Sequence, residues 1–313
     1  MITEQKLYRL LLVDDDNTIR HNLQDYLANY HQADYDLTVE GASSATEALD
    51  KLKEGSYDLI ICDINLPDKD GFYVLRQAVQ LYPEIKRALI TAYDVDTYLE
   101  LVKQEKIYNV ITKSAPFNFE ELSTVINNLL KPSQVFGLEN YLTGGEALST
   151  ITLHSSHDII SAQEKVKEFF AAQEVQNLDI IAVVLIEAMT NAVYHSIKNA
   201  DGTYQYQKGQ VIEALSPSQE VTITYGKDDD KIGVAVRDQG GKVTPDEIIY
   251  WMERNVSGNS LMDTHGRGIF LIHRLMDRVI INVAKDRSTE LILIHYLNGM
   301  TSENKPIYIN EVS

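Results

Sequence analysis

The chain has 313 residues, enough for about two domains of ordinary size. Hydrophobic residues make up 44% and charged residues 24%, as in globular proteins, and the net charge of −18 disfavours direct binding to nucleic acid or anionic lipid. The single cysteine, Cys62, excludes an internal disulfide. The first residues lack the features of a signal peptide, and no apolar run approaches the roughly 20 residues that span a bilayer. We therefore expect a cytoplasmic protein without membrane segments.

Residues 1–130 alternate short apolar runs with amphipathic stretches. The pattern predicts five strands and five helices: strands at 7–13, 37–39, 59–62, 88–90 and 107–111, and helices near 16–30, 43–54, 70–81, 94–104 and 118–130. The apolar runs are continuous, which is typical of a parallel sheet that is covered on both faces. We expect a doubly wound α/β domain here.

The pattern changes after residue 130. Residues 131–149 contain Pro132 and three glycines, so we predict a linker, with packing of Val135 and Phe136 on either domain as an alternative. Residues 150–298 predict an α+β domain with a mixed sheet, and residues 299–313 are expected to form a C-terminal tail. Its predicted elements are strands at 151–154, 220–225, 231–237, 278–285 and 289–296, helices near 158–172, 178–198 and 267–276, and a loop-rich segment over 239–265.

Polar residues follow the predicted strands of the first domain. Asp14 and Asp15 follow the first strand, Asp63 the third, Thr91 the fourth and Lys113 the fifth. In a doubly wound sheet, ligands lie beyond the carboxyl ends of the strands. Carboxylates that meet there would repel one another unless a divalent cation such as Mg²⁺ held them together. The pattern therefore predicts a magnesium-dependent phosphoryl site.

A simpler interpretation exists for each of these residues alone. An acidic residue after a strand often caps the next helix, and we expect Asp16 to do so. Thr91 would be an ordinary strand-end hydroxyl and Lys113 a solvated charge. Four such positions in the right order favour the site.

These segments resemble the response-regulator receiver family. The resemblance rests on LLLVDDDNTIR, DLIICDINLPDKDG, ITA and TKSAPF, and it covers about residues 6–130. It implies a flavodoxin-like (βα)5 fold in which Asp14, Asp15 and the Asn65 carbonyl bind Mg²⁺ with Asp63. Asp63 would be the phosphoacceptor, Thr91 the switch hydroxyl and Lys113 the phosphoryl-binding lysine.

The sequence departs from that family at two places. Ser114 and Ala115 separate Lys113 from Pro116, where the family usually has proline directly after the lysine. Val110 occupies the position of the switch aromatic residue, for which Tyr108 or Tyr93 would be a substitute, although each tyrosine is also compatible with a core or surface role.

The predicted helix 178–198 carries polar residues in an apolar sequence. Glu187, Asn191 and His195 are four residues apart and therefore share one helical face. A carboxylate and an amide on a buried face need partners, which Mg²⁺ and a triphosphate would supply. The alternative is a buried polar network or an exposed helix edge.

Two further segments have the composition of a nucleotide site. Asp238 and Gly240 follow a strand, where a carboxylate can accept the adenine amino hydrogens beside an unhindered backbone. Gly266, Arg267 and Gly268 precede an apolar helix, where free N–H groups can bind phosphates. Each motif is weak alone; the three in this order are strong.

Together they resemble the Bergerat-type ATP-binding fold of histidine kinases, gyrase B and Hsp90, in the anti-sigma-factor serine/threonine kinase branch. The resemblance spans about residues 150–298 and includes EAMTNAVYH and HGRGIFLIHRLMDRV. It implies that Glu187 is the general base and that Asn191 binds the Mg²⁺ of ATP. It further assigns nucleotide binding to His195, Asp238, Gly240, Gly266, Arg267, Gly268 and Thr289, and a lid to residues 241–264.

The expected protein is thus a two-component response regulator with a kinase output. An upstream histidine kinase would phosphorylate Asp63, and the output would phosphorylate a STAS-like antagonist protein or bind a sigma factor as a homodimer. The alternatives are a non-catalytic ATP-clamped binding switch and, less well supported, a histidine kinase fragment. The apolar patch around Trp251 in the lid is compatible with local packing or with docking of a partner.

Overall fold

The computed structural model describes residues 6–30, 35–144, 147–199, 201–258, 266–299 and 304–312. The chain divides into two compact units, Met1–Lys131 and Pro132–Ser313. The first five strands along the chain belong to the first unit and the later strands to the second, and each unit has its own buried core.

The first unit is a parallel sheet with connecting helices. The strand order is β2-β1-β3-β4-β5, and each neighbouring pair is parallel. The elements in chain order are β1 (Lys6–Val13), α1 (Asn17–Ala28), β2 (Tyr35–Ala42), α2 (Ala45–Glu54), β3 (Leu59–Asp63), α3 (Gly71–Leu81), β4 (Lys86–Thr91), α4 (Leu99–Glu105), β5 (Asn109–Thr112) and α5 (Phe119–Leu130). The predicted doubly wound α/β fold is confirmed.

Sequence chemistry accounts for the boundaries of these helices. The Asp16 carboxylate accepts hydrogen bonds from the backbone N–H groups of Thr18 and Ile19, so its predicted role as the cap of α1 is confirmed. Ser44 and Asp70 cap α2 and α3 in the same way. All five residues of β3 are buried, because helices cover both faces of a doubly wound sheet.

The second unit is a mixed sheet with helices. The strand order is β11-β9-β10-β8-β7-β6, in which β11 and β9 are parallel and the other pairs are antiparallel. The elements are β6 (Ser149–Leu153), α6 (Asp158–Ala171), α7 (Leu178–His195), β7 (Val221–Lys227), β8 (Lys231–Asp238), α8 (Pro245–Val256), α9 (Arg267–Leu275), β9 (Arg278–Ala284), β10 (Ser288–Tyr296) and β11 (Ile307–Val312). The predicted α+β architecture with a mixed sheet is observed.

Strand alternation separates two environments in this sheet. Asp238, Thr289 and Leu291 line a cavity beneath α7 and α9. Glu290 and Asn282 hydrogen bond with residues of the segment that leads into this unit: the Gly137 N–H donates to Glu290, and the Asn282 amide donates to the Val135 carbonyl. One face of the sheet therefore serves the cavity, and the other anchors residues 132–142.

Three segments differ from the sequence prediction. The expected loop over 239–265 contains helix α8, which begins with a capping box between Thr244 and Glu247 and with Pro245 at its first position. The expected tail at 299–313 contains strand β11. Part of the expected linker, residues 132–142, is packed within the second unit, where Leu138 is buried and Val135 takes the alternative predicted for it. These errors arose because proline, glycine and polar residues mark helix starts and anchored turns as well as loops.

Helix α7 has the length and mean hydropathy, 1.4, of a membrane-spanning segment, and among the described residues it alone does. Half of that helix is buried within the unit, where it packs on α6, α9 and β8. A core helix of a globular domain passes the same test of length and composition.

Candidate functional sites

The acidic residues of the first unit meet at the carboxyl ends of β1 and β3. Oxygen atoms of Asp14, Asp15 and Asp63 all lie within 4.8 Å of one another. Asp14 and Asp63 are buried and Asp15 is exposed. This is the point where β2 and β3 lie on opposite sides of β1, and such a switch in strand order opens a crevice at the sheet edge.

Lys113 lies directly against this acidic cluster. Its Nζ atom is 2.8 Å from Asp14 Oδ2 and 2.5 Å from Asp63 Oδ2, and its side chain is only 8% exposed. Burial lowers the pKa of Lys113, but its hydrogen bonds with the two aspartates outweigh this and raise the pKa above its usual value. Burial raises the pKa of Asp14, although Lys113 opposes the shift. One buried cation thus contacts two of the three clustered carboxylates, an arrangement that a divalent cation would balance.

Thr91 and Asn65 lie at the ends of the neighbouring strands. The buried Thr91 hydroxyl accepts a hydrogen bond from the Tyr93 N–H at 3.0 Å, and the Asn65 N–H donates to Asp63 Oδ1 at 3.2 Å. Asn65 Nδ2 also donates to the Tyr98 hydroxyl at 3.3 Å. Tyr98 is a neighbour of this site that the sequence analysis did not identify, because it belongs to a short 3₁₀ turn after β4.

The two departures from the receiver pattern lie in β5 and in the segment after Lys113. Val110 is fully buried in β5, and the ring of Tyr93 is exposed. The Ala115–Pro116 peptide bond is cis, two residues after Lys113.

Gly71 begins α3 so close to the site that an added Cβ would lie 2.1 Å from the Asp63 carbonyl oxygen. This close approach explains why glycine follows Asp70 at the start of α3.

In the second unit, the predicted polar face of α7 meets the start of α9. A Cβ on Gly268 would lie 2.7 Å from Glu187 Oε2 and 3.0 Å from Asn191 Nδ2. Gly266, with φ +85, is the N-cap of α9, and no side chain of the described residues caps that helix end. Arg267 is exposed at the first helical residue. Glycine at position 268 therefore lets the first turn of α9, with its backbone N–H groups, approach the carboxylate and the amide closely.

Asp238 closes the other end of the same cavity. It is 7% exposed, and its Oδ1 atom accepts hydrogen bonds from the N–H groups of Gly240 at 2.7 Å and Gly241 at 3.1 Å. Burial raises the pKa of Asp238, whereas these bonds and those from Thr289 oppose the rise. Gly240 passes so close to α7 that a Cβ would lie 1.7 Å from the Ser196 carbonyl oxygen.

The cavity brings together nearly all of the predicted nucleotide residues. The lining residues among these are Asn191, His195, Asp238, Gly266, Gly268 and Thr289. Trp251 of α8 also lines it, and a Cβ on Gly266 would lie 2.2 Å from the Trp251 ring. Ile248, Ile249 and Met252 of the predicted apolar patch are buried, as local packing requires. Residues 259–264 of the predicted lid lie outside the described residues.

Two residues of the polar segment between α7 and β7 approach the site. The Tyr204 ring lies 4.6 Å from the His195 ring and lines the cavity, and Lys208 Nζ lies 3.0 and 3.1 Å from the two oxygens of Glu187. The sequence analysis assigned neither, because no spacing rule relates this irregular segment to α7.

Comparison with known proteins assigns both units. Residues 10–127 match the response regulator receiver domain, and residues 158–295 match the histidine kinase-like ATPase domain. The chain is 31% identical over 124 residues to the response regulator receiver protein CpdR of Brucella abortus, an alignment that covers 39% of this chain and 96% of CpdR. It is 32% identical over 122 residues to the response regulator protein VraR of Staphylococcus saprophyticus, covering 38% of this chain and 57% of VraR.

Similar solved structures include a CheY-like response regulator receiver domain protein from Methanospirillum hungatei. That protein is 30% identical, and the match covers 42% of this chain and all of the other, with a TM-score of 0.36. The chain matches much smaller parts of some curated relatives: 12% of the sensor kinase CckA of Brucella abortus and 28% of the transcriptional regulatory protein ZraR of Escherichia coli. On the similarity to CpdR and the two domain matches, the chain belongs to the response regulator receiver family and carries a histidine kinase-like ATPase domain as its second unit.

Proposed function

We propose that this protein is a response regulator in which phosphorylation of Asp63 controls an ATP-dependent serine/threonine kinase output. An upstream histidine kinase donates the phosphoryl group, and the output unit, as a homodimer, phosphorylates a STAS-like antagonist protein or exchanges it for a sigma factor. The observation that carries the proposal is that Glu187, Asn191 and Gly268 meet at one end of a cavity that Asp238 closes at the other.

The receiver chemistry follows from the acidic cluster. Asp63 attacks the phosphorus atom of a phosphohistidine, so that a P–O bond forms and the P–N bond breaks. Asp14, Asp15 and the Asn65 carbonyl hold Mg²⁺ with Asp63, because three carboxylates this close would otherwise repel one another. Lys113 and Thr91 then bind oxygens of the new phosphoryl group, which needs positioning and neutralisation of charge.

The residues of the second cavity fit ATP and Mg²⁺. The cavity is lined by Gly266 and Gly268 at one end, where phosphates would bind, and by Asp238 at the other, where adenine would bind. Asp238, supported by Thr289, accepts the adenine amino hydrogens, and Gly266, Arg267 and Gly268 hold the phosphates. Asn191 and His195 line the path between them, with Asn191 as a ligand of Mg²⁺. ATP supplies the transferable phosphoryl group, and Glu187 accepts the proton of the attacking hydroxyl.

One observation favours a second candidate, a non-catalytic ATP clamp that sequesters a protein. Both oxygens of Glu187 already accept hydrogen bonds from Lys208, so the carboxylate is partly occupied before any hydroxyl arrives. Both candidates require ATP binding, and only the kinase requires transfer.

Transfer of label from γ-labelled ATP to a candidate antagonist separates the two. If the protein is a kinase, we expect label on the antagonist with the wild-type protein and none with Glu187→Gln. We also expect the amount of label to change when the receiver is phosphorylated. Intact ATP binding without transfer would instead support the clamp. Absence of ATP binding by the wild-type protein would reject both. Phosphohistidine in the purified chain would favour a histidine kinase fragment.

A further inference from the structure

The irregular segment between α7 and β7 folds back along α7. The Gln205 N–H donates to the Ile197 carbonyl at 3.0 Å, and the Tyr194 hydroxyl donates to the Gln210 carbonyl at 2.7 Å. Ile212, beyond them, is buried. The segment is therefore attached to the end of α7 and the residues just after it on both sides of residues 206–209, within which Lys208 and Gly209 form a turn with Gly209 at φ +87.

The direction of the segment matches the polar face of the helix. Tyr204 contacts His195 and Lys208 contacts Glu187, so four residues of loop accompany eight residues of helix. Eight helical residues rise about 12 Å, and four residues of extended chain span at most about 14 Å. The loop therefore runs alongside this face, with bends at Gln205 and Tyr206 and with long side chains covering part of the distance, and Tyr204 makes it a side wall of the cavity.

Lys208 stands at the phosphate end of that wall. Its Nζ atom lies 3.0 Å from Glu187 Oε2, and a Cβ on Gly268 would lie 2.7 Å from the same oxygen. The ammonium group and the first turn of α9 thus approach one atom from two directions. The side chain of Lys208 is 49% exposed, so it can change partner without disturbing the core.

The positive charge of Lys208 can reduce the repulsion between Glu187 and a bound phosphate. A terminal phosphate at the start of α9 would lie beside the Glu187 carboxylate, and the two negative groups would repel each other. An ammonium group has three donors and can bridge two anions at once. A diphosphate is one phosphate shorter and would not extend as far toward Glu187.

We propose that Lys208 is a specificity residue that bridges Glu187 and the terminal phosphate of ATP, and so lets the cavity distinguish ATP from ADP. The proposal rests on the proposed nucleotide site and adds to it a residue from outside the three sequence motifs. Residues 204–208 would thus form the side of the cavity at which the terminal phosphate is recognised.

Titration calorimetry of the full chain in excess Mg²⁺ tests this, with ADP and with an ATP analogue whose terminal bond is not hydrolysed. In Lys208→Ala, we expect the affinity for the analogue to fall about tenfold, because a charge-assisted hydrogen bond is lost. We expect the affinity for ADP to stay within about twofold of wild type, which also shows that the variant is folded. Lys208→Arg should retain most of the discrimination, since a guanidinium group also bridges anions.

Lys165→Ala is the matched control, because it removes the same charge from an exposed position of α6. It should leave both affinities unchanged. Equal losses for ADP and the analogue in Lys208→Ala, no loss, or a gain would each overturn the proposal while the nucleotide site itself stood. If the wild-type protein bound neither nucleotide, the proposed function would fail, and this inference with it.

Discussion

The two candidate sites of this chain are assembled in different ways. In the receiver unit, Asp14, Asp63, Thr91 and Lys113 are at, or next to, the carboxyl ends of four neighbouring parallel strands. In the ATPase unit, the cavity is lined by residues of α7, α8 and α9, by antiparallel strands, and by Tyr204 of an irregular loop, and 71 residues separate the end of α7 from the start of α9. A regular topology brings side chains together by itself, whereas the second site depends on how separate elements pack.

Charge is also distributed differently. In the receiver cluster, the buried Lys113 contacts the buried carboxylates of Asp14 and Asp63, so the charge balance of the cluster depends on groups that are shielded from water. In the ATPase unit, the pair between Lys208 and Glu187 is partly exposed and can exchange partners. We therefore expect substitutions in the receiver site to abolish phosphorylation, and substitutions around the ATPase cavity to weaken nucleotide binding partially.

The largest expected effect is in the receiver. Asp63→Asn should abolish labelling by radioactive acetyl phosphate, because an amide is not a nucleophile for phosphorus. Asp25→Asn, an exposed position of α1, is the control and should be labelled like the wild type. Labelling that persists in Asp63→Asn at another residue would remove the receiver assignment.

The next effect concerns the ATPase cavity. Asn191→Ala should reduce Mg²⁺-dependent ATP affinity by about 100-fold, since loss of even an outer partner of a metal site typically costs 10- to 100-fold. Titration calorimetry with and without Mg²⁺ measures it, and the difference between the two conditions should shrink in the variant. An unchanged Mg²⁺ dependence would mean that the metal binds elsewhere.

A buried histidine gives the ATPase unit a pH dependence. Burial lowers the pKa of His273 to about 4, although its hydrogen bond with the Pro306 carbonyl opposes this. The unfolded chain therefore binds a proton below about pH 6.5 that the folded unit resists, and stability falls as the pH drops from 6.5 to about 4.

The expected loss over that interval is about 3 kcal/mol. His273→Gln, which keeps a donor for Pro306 but does not titrate, should lack this component. Denaturant unfolding of both proteins at pH 7 and pH 4 measures the difference. Parallel pH dependences in the two proteins would show that His273 titrates normally.

The smallest expected effect is a difference in stability between two glycine-to-alanine variants. Gly240→Ala places a Cβ 1.7 Å from a backbone oxygen of α7, so the helix and the strand end must move apart. We expect a loss of about 2 kcal/mol in the free energy of unfolding, together with weaker ATP binding. Gly55→Ala in the receiver unit, whose Cβ would meet only the flexible end of Arg9, should change stability by less than about 0.5 kcal/mol. Thermal unfolding compares the two; equal effects would show that the α7 contact adjusts freely.

Both folds were predictable because their signals are local. Continuous apolar runs predicted the parallel strands, and the acidic residues after them predicted the cluster that the structure contains. The four-residue spacing of Glu187 and Asn191 predicted a shared helical face, and both residues do meet Gly268. In contrast, α8 and β11 were missed. The start of α8 contains proline, and β11 follows a polar segment, so both have the composition of loops.

The amino-acid sequence alone therefore determined most of the strands and helices, their caps, and which side chains share a face. These features depend on the spacing of apolar residues and on contacts between residues that are near in sequence. The tertiary structure decided which distant groups became neighbours. It attached residues 132–142 to one face of the second sheet, and it brought Tyr204 and Lys208 to the polar face of α7. The physical reason is that an irregular loop has no period, so only the burial and hydrogen bonding of its two ends determine where its side chains lie.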